Sequence, residues 1–149
     1  MTRALFTIGY EGRSIGEYVA LLRRHQIAVV VDVRETARSR KPGFSLRALG
    51  AALAGAGVEY LHAPFAGNPR WLRAEGESAG ERLELYSWYL DAHPEVLQEF
   101  DHLINRLLCP RRRVCITCFE RRASECHRSI LGNCWARLGA RSVVDIGAG

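Results

Sequence analysis

Residues 28–33 read Ala-Val-Val-Val-Asp-Val, and this stretch decides the fold class. Four β-branched residues in an apolar run interrupted only by Asp32 predict a strand covered on both faces, which is the pattern of a parallel sheet rather than of an open antiparallel one. Working outward, four more short apolar runs look like strands: 4–8 (ALFTI), 58–62 (VEYLH), 113–117 (RVCIT) and 142–146 (SVVDI). Helical patterns separate them. Ser14 with Glu17 three residues on has the form of a capping box, and Ile15, Tyr18, Val19 and Leu22 then recur on one face. Ser45 precedes a second helix through Leu46, Leu49 and Leu53, which Gly55 and Gly57 stop. Two helices over about 81–92 and 94–108 divide at Pro94, and the second carries Leu97, Phe100, Leu103, Ile104, Leu107 and Leu108 as one stripe. A last helix spans about 126–138, with Ile130, Leu131, Cys134 and Leu138 inward.

Strand and helix therefore alternate along all 149 residues, with no repeat, low-complexity tract or linker. The expected fold is α/β: a single domain, a mostly parallel central sheet of about five strands, and helices on both faces. Apolar residues at 48% and charged residues at 25% are globular values and exclude a disordered or collagenous chain. No apolar run reaches the roughly 18 residues of a membrane span, so no membrane partner is expected. The opening residues reach Gly9, Tyr10 and Glu11 too early for a secretory leader, and a cytoplasmic protein is expected.

Open parallel sheets bind ligands beyond the carboxyl ends of their strands. The loops expected there are GYEGRS, RETARSRKPGF, the long APFAGNPRWLRAEGESAG of residues 63–80, and CFERRASECHRS. They bring polar groups together. Asp32 and Arg34 share a face by alternation, and the Arg34, Arg38, Ser39, Arg40 run attracts anions. The 63–80 loop is either functional or partly mobile. Tyr86, Trp88 and Tyr89 suit core or lid packing better than base-stacking. The formal charge of +5 is uneven: residues 1–102 hold 12 basic and 13 acidic side chains, residues 103–149 hold 9 and 3. Arg111–Arg113 precede a strand and belong to the opposite end of the sheet.

The densest chemistry lies in 118–129. Cys118 closes a strand and Cys126 opens a helix, where the partial positive charge and free N–H groups favour a thiolate or a bound anion. Glu120, His127 and Arg128 stand beside them. Arg128 could pair with Glu120 and tie the loop to its helix. Five cysteines, all after residue 108, suit free thiols, a catalytic thiol or a metal site better than a disulfide framework. No metal ligand is assigned, and a closed four-ligand zinc site is not expected, because Cys115 and Cys118 sit near a strand end and Cys126 and His127, adjacent at a helix start, should point apart. Cys115-x5-Arg121 matches a phosphatase-loop spacing but would bury its thiol within a strand.

TIGYEGRS (7–14), VVDVRETARSRKPGFS (30–45), VEYLHAPFAGNPR (58–70) and CFERRASECHRS (118–129) together resemble the DUF488 family, whose C-x-E…CHR signature Cys118, Glu120, Cys126, His127 and Arg128 match. The resemblance implies an α/β domain with Asp32, Arg34, Ser39, Arg40 and Tyr60 as further marked positions. Ala66 and Thr36-Ala37 depart from the family pattern. A local likeness to rhodanese-like sulfurtransferases runs through VVDVRE and the closing strand–cysteine–helix–strand segment, without the usual loop glycines. The expectation is an enzyme-like domain whose partner is an anionic small molecule or nucleic acid. Arg34, Arg40 and Arg128 would hold the anion, Cys118 or Cys126 would be the reactive thiol, and Glu120 and His127 would orient groups or move protons. The alternatives are a sulfurtransferase or persulfide carrier on Cys118, a nucleic-acid-binding module on the basic last third, and residues that only brace the fold. No cofactor is named by these residues.

Overall fold

The computed structural model describes residues 3–147. Five strands, β1 (Arg3–Gly9), β2 (Val29–Asp32), β3 (Glu59–His62), β4 (Val114–Cys118) and β5 (Arg141–Asp145), form one sheet in the order β3-β2-β4-β1-β5. Every pairing in it is parallel. The helices are α1 (Ile15–Arg24), α2 (Leu46–Gly55), α3 (Arg70–Arg73), α4 (Ala79–Ala92), α5 (Pro94–Leu108) and α6 (His127–Ala136).

Alternation along the strands splits the core in two. Val29, Val31, Val33, Val114, Ile116 and Cys118 face Tyr86, Phe100, Ile104, Leu131 and Trp135 of α4, α5 and α6. Val30, Cys115 and Ile8 face Tyr18, Leu22, Leu49 and Leu53 of α1 and α2. Each such side chain, fully buried, contributes about 1.5–3 kcal/mol. Helices thus cover both faces, which is why β2 and β4 are buried at every position.

Right-handed crossovers set this division. The chain moves one way across the sheet from β1 through β2 to β3, then the other way from β3 through β4 to β5, so the helices of the two halves fall on opposite faces. One consequence positions the site. After β4 the chain leaves for the α6 face, while its two neighbours β1 and β2 lead to α1 and α2 on the other face. The diverging connections open a crevice at the carboxyl end of β4, and the residue there is Cys118.

The capping box predicted at Ser14 is present: its hydroxyl accepts from Glu17 N, and the Glu17 carboxylate accepts from Ser14 N. Residues 63–80 contain a short 3-10 turn (Pro64–Ala66), which packs against α5, and α3, which packs against α4. One expectation changes. Helix α6 stops at Ala136, so Leu138 lies beyond it and is 50% exposed, while Trp135 fills the core instead.

Candidate functional site

The loop after β4 turns back over the end of β1. Gly9 is opposite Cys118 in the ladder, and a Cβ there would lie 1.8 Å from the Glu120 carbonyl oxygen. Only glycine admits this approach. Backbone bonds from Tyr10 N to Cys118 O and from Glu11 N to Phe119 O then hold the loop down, and Arg121 N donates to Glu11 Oε1. Arg128 secures it from beneath. Its guanidinium is fully buried and donates to the carbonyls of Glu120 and Arg121 and to Asp145 Oδ1. Thr7 also donates to Asp145. Arg128 therefore meets Glu120 through its backbone rather than its carboxylate, and it braces the loop without reaching the crevice wall.

A 3-10 turn (Ala123–Glu125) delivers the chain to Cys126, which caps α6 in an extended conformation, φ −123° and ψ 144°. That geometry overturns the expectation that Cys126 and His127 point apart. Cys126 is outside the helix, so its side chain turns back toward β4. His127 Nδ1 lies 3.7 Å from Cys118 Sγ and 3.8 Å from Cys126 Sγ, and the three donor atoms all fall within 4.8 Å of one another. On the far side of the ring, Nε2 donates to the Val33 carbonyl at 2.9 Å, which turns Nδ1 toward the sulfurs; burial works against a charged imidazole, but Cys126 and the Val33 carbonyl outweigh it and raise its pKa. Tyr86 packs edge-on against the imidazole, and its own hydroxyl donates to Ala66 O. Burial pushes the Cys126 thiol well up, and the neighbouring Cys118 adds to that while His127 opposes it. Cys115, by contrast, is sealed within β4 against the other helical layer.

Above Cys118 and His127 opens a pocket of about 280 Å³. Arg38, Arg73, Arg82 and Asn68 form its wall together with Glu35, Glu120 and Glu125. Arg38 and Arg82 have no carboxylate within ion-pair range among the described residues, whereas Arg73 has Glu35 at 3.9 Å. Asn68 is 7% exposed, and its Oδ1 has no donor. Gly67 lets this wall close: a Cβ there would meet Glu35 N at 2.4 Å.

The predicted residues divide between pocket and scaffold. Cys118, Glu120 and His127 line the pocket, with Cys126 directly behind them. Arg34 borders it, but its guanidinium is engaged with Asp32 at 2.6 Å, with the Phe44 carbonyl and with the Tyr10 hydroxyl. One Nη2 hydrogen is left over. Asp32 also accepts from Tyr60 Oη at 2.6 Å, so Asp32 and Tyr60 are partners of Arg34 rather than of the pocket. Ser39 accepts from Lys41 N within its turn, and Arg40 is exposed outside the pocket. Asn68, Arg73 and Arg82 were not singled out from the sequence. Asn68 and Arg73 belong to the 63–80 loop and Arg82 to α4; only the way both close on the pocket beside Cys118 reveals which of their residues look inward. At the opposite end of the sheet, Arg112 pairs with Glu59 and Arg113 donates to His25 O, so that basic run is partly engaged by its own chain.

A family model described as Domain of unknown function DUF488 matches residues 14–134, about four fifths of the chain. No curated protein and no solved structure matches it, and nothing found supports the rhodanese-like likeness. No helix of the described residues is long and apolar enough to cross a membrane.

Proposed function

The chain belongs to the DUF488 family, and from the geometry of its pocket we propose that it is an enzyme acting on a small substrate with an anionic group. Arg38 and Arg82, joined by Arg73, take the anion at the rim. The substrate's reactive part meets the Cys118, Cys126 and His127 cluster on the floor, and Glu120 accepts or returns a proton at the wall. The observation that carries this reading is a single crevice in which two cations without carboxylate partners overlook a thiol and an imidazole held in one orientation. A nucleotide fits the same chemistry, since its phosphate is the group the rim would grip.

The test compares alkylation of Cys118 by iodoacetate and by iodoacetamide in reduced, chelator-treated protein, read by peptide mass. The two reagents differ by one carboxylate. Electrostatic steering should favour iodoacetate by about tenfold or more over the ratio in the unfolded chain. Inorganic phosphate should suppress that preference, and an Arg38→Ala/Arg82→Ala double variant should abolish it. Equal ratios in folded and unfolded protein would sink the anion site.

A further inference from the structure

The cluster on the pocket floor has the dimensions of a metal centre. Zinc bonds of about 2.3 Å to sulfur and about 2.0–2.1 Å to imidazole nitrogen place those atoms about 3.6 Å apart at a tetrahedral angle. The two nitrogen–sulfur distances here are 3.7 and 3.8 Å, and the two sulfurs lie within 4.8 Å of each other, so those edges already match and the sulfurs need close by no more than about 1 Å. Two further features suit an ion. The imidazole is oriented by its outer nitrogen, Nε2, on the Val33 carbonyl, which is how a ligating histidine is usually fixed. Arg128 lies beside Cys126 with its Nε buried and without an acceptor, and a metal-bound thiolate would supply one. Cys118 and His127 border the pocket while Cys126 closes the back, so the side of the triangle toward the pocket is open.

We propose that Cys118, Cys126 and His127 form a three-ligand zinc site whose fourth position faces the pocket. The site is built for an open centre and not for a closed structural one, because no fourth His, Cys, Asp or Glu joins the cluster among the described residues. Both thiols release their protons to solvent as the ion binds, and the two thiolate charges balance the divalent cation. The fourth position takes water or an oxygen of the anionic ligand. This inference rests on the pocket being the reaction site and assigns Cys118 the part of a ligand in the loaded protein.

Cobalt(II) titration of the reduced, chelator-treated full chain under anaerobic conditions is the test. One equivalent should produce the thiolate-to-cobalt charge-transfer and intense d–d bands of a tetrahedral site, and zinc should displace it. Cys118→Ser, Cys126→Ser and His127→Ala should each weaken binding by about a hundredfold or more, given that even outer-shell changes cost about 10- to 100-fold. Cys134→Ser should bind as the parent does. Should a variant fail to fold, zinc protection of the parent chain gives the same answer: Cys118 and Cys126 become slow to alkylate, Cys109 and Cys134 do not. Weak octahedral cobalt bands, or an alkylation pattern unchanged by zinc, would overturn the metal site. The iodoacetate preference of the metal-free protein is read separately, so loss of the metal reading and loss of the anion reading give different results.

Discussion

Among single residues, Asp32 shows how a motif can be real and yet belong to the scaffold. Its carboxylate is fully buried and accepts from Arg34 N, Arg34 Nε and Nη2, and Tyr60 Oη. Burial works against the Arg34 charge, but Asp32 outweighs it and keeps the guanidinium protonated. Burial and Asp32 together push the Tyr60 phenol up. Asp32→Ala should therefore cost about 3–5 kcal/mol in urea denaturation, since it strands a buried cation. Tyr60→Phe removes one bond to a carboxylate that keeps its others and should cost about 1.5–3 kcal/mol. The pairing of Asp32 with Arg34 was legible from alternation, because i and i+2 share a face. Its consequence was not, because the acceptors Phe44 O and Tyr10 Oη come from other loops. Arg128 misled in the same way: its place after Cys126-His127 was visible, but the carbonyls it serves belong to a loop whose path depends on Gly9.

At the level of elements, strand and helix boundaries follow local signals closely, while the site depends on how their ends meet. All five strands and the five longer helices lie where periodicity and caps put them. The cap at Ser14 gives a pH-dependent prediction. The Ser14 N–H and hydroxyl contacts hold the Glu17 carboxyl below its ordinary value of 4.5. A carboxyl depressed by folding contributes stability that is present above its unfolded value and lost as pH falls through its folded one. Glu17→Gln should accordingly flatten the acid limb of the stability curve below pH 4.5, measured as the urea midpoint against pH, and leave the neutral-to-alkaline slope alone; Ser14→Ala keeps the backbone N–H and loses only the hydroxyl contact, so it should flatten that limb in part. Gly9→Ala tests the junction of β1 with the 119–126 loop. The clash with Glu120 O is with backbone, which cannot rotate away, so a loss of about 1–3 kcal/mol is expected. The same change should release Cys118 to faster alkylation. The convergence of Cys126 with His127 escaped the sequence for a related reason. A one-residue difference in where α6 begins decides whether Cys126 points along the helix or back toward β4.

For the whole molecule, ligand binding and folding are linked, because the pocket draws on β4, α6, the loop after β2, and the segment from Gly67 to α4. These parts adjoin one another only in the native chain. Phosphate at a hundred times its Kd should add about 2.7 kcal/mol, which is about 5–10 °C in Tm for a chain of this size. The Arg38→Ala/Arg82→Ala variant should show no such rise at the same concentration. The strand order has a further effect, on how the sheet comes together in time. β1 pairs with Cys115–Cys118 and with Arg141–Asp145, partners more than a hundred residues downstream. Until those segments arrive, the first strand made has both edges bare. Closing such long loops is slow and leaves apolar edges exposed meanwhile. A growing polypeptide can pair β2 with β3 early, but the central position of the sheet waits for β4, the fourth of the five strands. Assembly of this protein should therefore be a late, nearly all-at-once event, in which the crevice at Cys118 and the stable core appear together.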